Sequence, residues 1–184
     1  MYSPFDKSLT EITAQDLAVL RTVSEGWHVE YKRQRVAAES VAKSVTAMAN
    51  QEGGWVFYGV VSGGVENTAT EFPGIPLSEI STFLSRIRDA VARTSPAPMF
   101  EVRPVKGPCQ DIGLTEDCAI VAVVVPRSWR TPHVHWNESY LHTGRRCFRS
   151  RGRKGPGDDS ATGEAAGEME RGDPGTCRRR TVDL

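Results

Sequence analysis

Residues 24–33 read SEGWHVEYKR, and the rest of the chain is most easily read outward from them. Trp27, Val29 and Tyr31 alternate with His28, Glu30 and Lys32, the period of two of a strand with one buried face. Such a strand places Glu30 and Lys32 side by side, together with His28, on the other face. Glu25 lies just before it, in the turn that contains Gly26. Two readings of the acidic pair stay open at this level. One is a strand face turned to water, with ordinary Glu–Lys pairing worth about 0–1 kcal/mol. The other is the acidic half of a site that cuts phosphodiesters. There, a carboxylate-held Mg²⁺ or Mn²⁺ neutralises the scissile phosphate and activates a nucleophile, while Lys32 stabilises the developing negative charge.

The flanking segments define the architecture. TAQDLAVLRTV (13–23) predicts a short helix with Thr13 as N-cap and Leu17, Leu20 and Val23 on its apolar side. AESVAKSVTAMAN (38–50) repeats apolar residues at helical spacing through Val41, Val45, Met48 and Ala49. QEGG then reads as a turn, with Gly53 and Gly54 as turn formers. WVFYGVV (55–61) is the continuous apolar run of a central strand, ended by a tight turn at Ser62-Gly63-Gly64. Trp27, Trp55 and Phe57 read as core or strand-packing residues. LSEISTFLSRIRDAVART (77–94) carries one helical stripe of Ile80, Phe83, Leu84, Ile87 and Val91. MFEVRPV (99–105) and CAIVAVVVP (118–126) read as a hairpin joined by loop 106–117, and SYLHTGRRCFRSR (139–151) as a last β-rich element. The order α-β-α-β-α-β-β-β predicts an α+β fold, a mixed β-sheet flanked by helices.

At 184 residues the chain suits one domain with a proper core. Lys plus Arg and Asp plus Glu are equal at 23 each, so any case for a polyanionic partner rests on local clustering. No run approaches the roughly 18 apolar residues of a membrane span. MYSPFDKSLTEI has no apolar signal-peptide core, so the expectation is an intracellular protein, cytoplasmic rather than nuclear. Cys109, Cys118, Cys147 and Cys177 show no CxxC spacing and read as free thiols of a reducing compartment. Residues 1–150 form the expected domain. From 151 to 184 glycine, charged and small residues dominate, and the segment is read as a disordered tail that cannot offset its ordering entropy by burial. The alternative is a variant C-terminus replacing the end of a longer domain.

The run from 24 to 61 resembles the Schlafen family and its wider AlbA_2-type relatives. The shared order is Glu25-GWHV-Glu30-Tyr31-Lys32, a helix ending in AMANQEGG (47–54), then the strand WVFYGV (55–60). The likeness covers roughly residues 20–150 and is best in the first third. It implies an α/β lobe of a kind that usually occurs as two related lobes around a basic groove. It also implies metal-dependent endoribonuclease chemistry on tRNA, rRNA or small-RNA precursors. By this resemblance Glu25 and Glu30 are catalytic and metal-binding, with Mg²⁺ or Mn²⁺ as cofactor and Lys32 as electrostatic helper. The third acid of the pattern, an aspartate after the Gly-Val strand, is replaced here near Ser62. The nearest downstream acid, Glu66, reaches the site only if the turn folds back.

The basic cluster Arg145, Arg146, Arg149, Arg151, Arg153 and Lys154 is interleaved with Tyr140, His142 and Phe148. Cations beside ring faces suit a surface that tracks a nucleic-acid backbone and stacks its bases; the same charges also suit a protected hairpin edge. Arg33 and Arg35 extend that surface by the resemblance. His133 and His135 alternate in TPHVHW, and with Cys109, Cys118 or Cys147 they raise a structural zinc ion that the spacing does not support. Three functional readings follow. The first is an RNA-processing endoribonuclease or a subunit of one, taking RNA rather than DNA and pairing with itself or with a related Schlafen-like chain. The second is a non-catalytic nucleic-acid-binding module or inactive partner subunit, and the third a protein-interaction scaffold.

Overall fold

The computed structural model describes residues 2–34, 36–135, 138–143 and 146–151, the last two segments by backbone alone. Of the expected tail, 151–184, Arg151 ends the last strand and 152–184 lie outside the described residues.

Two 3-10 helices, Leu9–Glu11 and Asp16–Thr22, open the chain. The second replaces the α-helix predicted over 13–23. Its buried side chains account for the tighter winding, because Ala14, Leu17 and Leu20 recur every three residues, and residues i and i+3 eclipse in a 3-10 helix. Thr13 is capped rather than capping: its amide and hydroxyl both donate to the Asp16 carboxylate, at 2.8 and 2.7 Å.

The elements that follow are β1 (Val29–Lys32), α1 (Ala38–Ala49), β2 (Gly53–Tyr58), β3 (Val61–Gly63), β4 (Thr68–Glu71) and β5 (Ile75–Pro76). After them come α2 (Leu77–Ala92), β6 (Thr94–Ser95), β7 (Glu101–Lys106), β8 (Cys118–Pro126), β9 (Val134–His135), β10 (Glu138–Thr143) and β11 (Arg146–Arg151). The main sheet is mixed, as expected. β1 runs parallel to β2, with Val29 opposite Trp55. β2, β5 and β7 all pair antiparallel with the long central strand β8. The predicted hairpin is β7–β8, in register from Glu101↔Val124 to Lys106↔Ala119. A second sheet takes the order β11-β10-β9-β6, and β3–β4 form a separate hairpin. That hairpin begins where the sequence suggested only a tight turn at residues 62–64.

Apolar side chains of the main sheet alternate between two cores. Trp55 and Phe57 face one, with Phe5, Leu17 and Leu20 of the N-terminal segment. Val56 and Tyr58 face the other, beneath Val41 and Met48 of α1 and Phe83 of α2. The α2 stripe is as read, with Ile80, Phe83, Ile87 and Val91 buried and Leu84 packed at its margin. Because the sheet is covered on both sides, β1 does not have the single buried face that its alternation suggested: Glu30 is only 5 % exposed.

Gly53 and Gly54 are strand residues rather than turn formers. Gly53 has φ +77° and sits against Val125 and Arg127 backbone. A Cβ on Gly54 would lie 2.5 Å from the His28 carbonyl oxygen and 2.6 Å from Met48 Sδ. The pair lets β1, β2 and α1 approach closely at one end of the sheet. Among the described residues no helix is long and apolar enough to cross a membrane.

Candidate functional site

Glu25 meets β1 at its open edge. The His28 carbonyl accepts from Trp55 N at 2.7 Å, and the Lys32 carbonyl accepts from Gly59 N at 2.7 Å and Val60 N at 3.1 Å. Backbone groups alternate sides along a strand, so those of Val29 and Tyr31 point away from β2. The turn before the strand folds back to satisfy them. Gly26 N donates to the Val29 carbonyl at 2.9 Å, and Tyr31 N donates to Glu25 Oε1 at 3.2 Å. An otherwise exposed strand edge is thereby closed.

The other oxygen of Glu25 is held by the β3–β4 hairpin. Ser62 Oγ donates to Oε2 at 3.0 Å and Asn67 Nδ2 at 2.8 Å. The Glu25 amide in turn donates to the Asn67 carbonyl at 2.9 Å. Asn67 holds φ 58°, a left-handed conformation that Asn tolerates better than most residues. So the turn does fold back onto the site, yet the residue it delivers is Asn67, while Glu66 stays exposed. Sequence reasoning missed Asn67. The available signal was an Asn in the turn segment VENT, the residue type that such a conformation favours.

Glu30 lies on the helix-bearing face. Lys32 Nζ sits 2.5 Å from its Oε1, and its Oε2 is buried with no hydrogen-bond partner. Tyr58, on the same face of β2, also buries an unpartnered hydroxyl. Burial, reinforced by the charge of Glu30, pushes the Tyr58 phenol above its ordinary pKa. Tyr31 is likewise raised, by burial first, and its hydroxyl donates to the Val23 carbonyl at 2.9 Å.

These contacts test the fit to a divalent ion. Mg²⁺ and Mn²⁺ take charged or carbonyl oxygens free to converge on one point. Glu25 already accepts three hydrogen bonds from neutral donors. Glu30 is neutralised by an ammonium that would repel a second cation. Ser62, near the place where the resemblance expects an acid, supplies a hydroxyl directed to Glu25. Among the described residues no group of three or more His, Cys, Asp or Glu could hold a metal ion. The donor set does not fit an Mg²⁺ or Mn²⁺ centre.

Of the other candidates, Arg33 is exposed and 3.9 Å from Glu71. Arg35 and Arg145 lie outside the described residues. Arg146, Arg149 and Arg151 are placed on β11 opposite Thr143, Tyr140 and Glu138. His133 and His135 are buried on and beside β9. The His133 ring lies 2.5 Å from the Pro96 carbonyl oxygen, whereas Cys109 belongs to the core on the opposite side of the main sheet. Cys109 and Cys118 are free thiols.

The fold and its acidic turn together define an α+β domain: a mixed sheet, helices on one face, and a glutamate-bearing turn closing the edge strand. Residues 25–151 match the sequence profile of the family described as Schlafen, AlbA_2, and the chain belongs to that family. The resemblance read from residues 24–61 is thus confirmed, and the family suggests a nucleic-acid-binding or nuclease-like class. No curated protein matches the chain. Among solved structures it is similar to the DIP2311 protein from Corynebacterium diphtheriae, at 15% identity and a TM-score of 0.41, over 73% of this chain and 25% of that one. The chain thus spans a quarter of that protein's length.

Proposed function

We propose that this chain is an RNA-binding Schlafen-type module that works without cutting, as a regulator or as the inactive partner of a related, catalytically complete chain. The observation that carries the reading is the Ser62 Oγ to Glu25 Oε2 hydrogen bond at 3.0 Å. Near the position where the resemblance expects a third acid, a neutral donor instead engages the first one. That contact makes Glu25 a structural acceptor and leaves Glu30 to its ion pair with Lys32. The family membership supports nucleic acid as the ligand, and a second Schlafen-like lobe is the partner this reading calls for.

The test uses a 5′-labelled structured RNA with Mg²⁺ or Mn²⁺, the unmodified protein and a Glu25→Gln variant. The expected result is binding that weakens steeply between 50 and 200 mM salt, in the way of phosphate contacts, with the RNA left intact. Metal-dependent cleavage that disappears in Glu25→Gln would overturn the non-catalytic reading in favour of an endoribonuclease. Absence of salt-dependent RNA binding would remove nucleic acid as the ligand.

A further inference from the structure

Trp27 was expected in the core, and it is 57 % exposed. It precedes the first residue of β1, where the chain is still turning. Trp129 is 88 % exposed, in the loop that follows β8. The two lie at the same end of the main sheet. His28, next to Trp27, places Nδ1 3.2 Å from the Gly53 carbonyl oxygen and stacks on Tyr2 with ring centroids 5.3 Å apart. On the other side of β2, Gly53 is opposite Pro126, and Arg127 comes next. Ser128 N donates to the Ala49 carbonyl at 3.0 Å, anchoring the loop on the end of α1. The ends of β1 and β8, from which the chain leads to Trp27 and Trp129, are thus two strand spacings apart, about 10 Å, the length of about three stacked nucleotides at about 3.4 Å each.

Charge accompanies the rings. The Arg130 guanidinium lies 5.8 Å from the Trp129 ring centroid. Arg127 is exposed and 3.2 Å from Glu52, itself exposed, a pair weak enough to exchange for a phosphate. Met99 and Val65 are exposed too, but singly, as is ordinary on any surface.

We propose that this end of the sheet binds single-stranded nucleic acid, with unpaired bases stacking on Trp27 and Trp129 and the backbone held by Arg127 and Arg130. Exposed ring faces reward unpaired bases, whatever their identity, and the arginines supply the salt-dependent component. The inference rests on the RNA-binding reading and deepens it by naming a strand state and a surface. Trp129 lies outside the Glu25–Glu30 turn, and Trp27 lies between the two glutamates in the chain with its own side chain exposed.

The experiment titrates the full chain and its Trp27→Ala, Trp129→Ala and Arg130→Ala variants with labelled oligo-U, oligo-dT and a blunt duplex. Each tryptophan variant should lose about five-fold to about a hundred-fold in single-strand affinity, with duplex affinity unchanged. Arg130→Ala should lower the salt slope by about 0.7. Weaker oligo-dT than oligo-U binding would assign the surface to RNA, and equal binding to single strands of either sugar; both outcomes support it. If the unmodified chain binds RNA and both tryptophan variants match it in affinity and salt slope, this inference fails while the proposed function stands. If the unmodified chain binds no nucleic acid, both fail. Sedimentation showing a dimer that Trp129→Ala dissociates, with RNA affinity unchanged, would assign the surface to a second copy and overturn the proposal.

Discussion

Glu25 takes its donors from three separated places: the Tyr31 amide, the Ser62 hydroxyl and the Asn67 side-chain amide. Glu25→Ala would strand all three at once, and an unpaired donor away from water costs about 1–3 kcal/mol. We expect the variant to lose about that much stability in urea unfolding followed by far-UV circular dichroism. Glu25→Gln should lose less, since its carbonyl can still accept from one side of the site. Spacing made Glu25 and Glu30 legible as a pair. It could not reveal that one faces neutral donors and the other is sealed against Lys32 beneath the helices. Ser62 and Asn67 come from 37 and 42 positions away in the chain, and the burial of Glu30 comes from what packs over the sheet.

At the scale of elements, local periodicity was most informative where one face decides everything. The α2 stripe and the β7–β8 hairpin were legible because helix and strand repeats are set by backbone geometry. The 3-10 helix at Asp16–Thr22 was not, because a run of Leu17 and Leu20 suits both a three- and a 3.6-residue repeat. The Gly53–Gly54 pair was seen but assigned to the wrong task. Its task is close approach, which gives a sharp expectation for Gly54→Ala. Met48 can swing aside, but the His28 carbonyl can move only by parting β1 from β2. The variant should lose about 1–3 kcal/mol, read as a lowered thermal midpoint. Gly26→Ala, where an added Cβ meets nothing within 4 Å, should melt close to the unmodified chain.

At the scale of the whole molecule, the two sheets are joined through α1 and β9. Asn50, at the end of α1, clamps β9: its side-chain amide donates to the His133 carbonyl at 3.1 Å and accepts from His133 N at 2.7 Å. His135, the next inward residue, has its pKa lowered from 6.5, chiefly by burial. Glu39 and a backbone hydrogen bond with Arg93 oppose that shift, while the charges of Arg93 and Lys43 add to it. A histidine held neutral in the fold binds its proton more readily when unfolded. Stability is therefore full above pH 6.5 and falls as the pH drops below it, levelling off beneath the folded-state pKa. Urea unfolding at pH 7.5 and 5.5 should show this loss, and His135→Gln should remove its share of it.

Repeats and motif order within short stretches of chain are enough for the α+β class, the mixed sheet, the α2 stripe and the family. The burial of Glu30, the hold of Ser62 and Asn67 on Glu25 and the exposure of Trp27 arise from how distant segments pack. A period of two records which side chains share a face, whereas burial and partnership depend on what distant segments bring to that face.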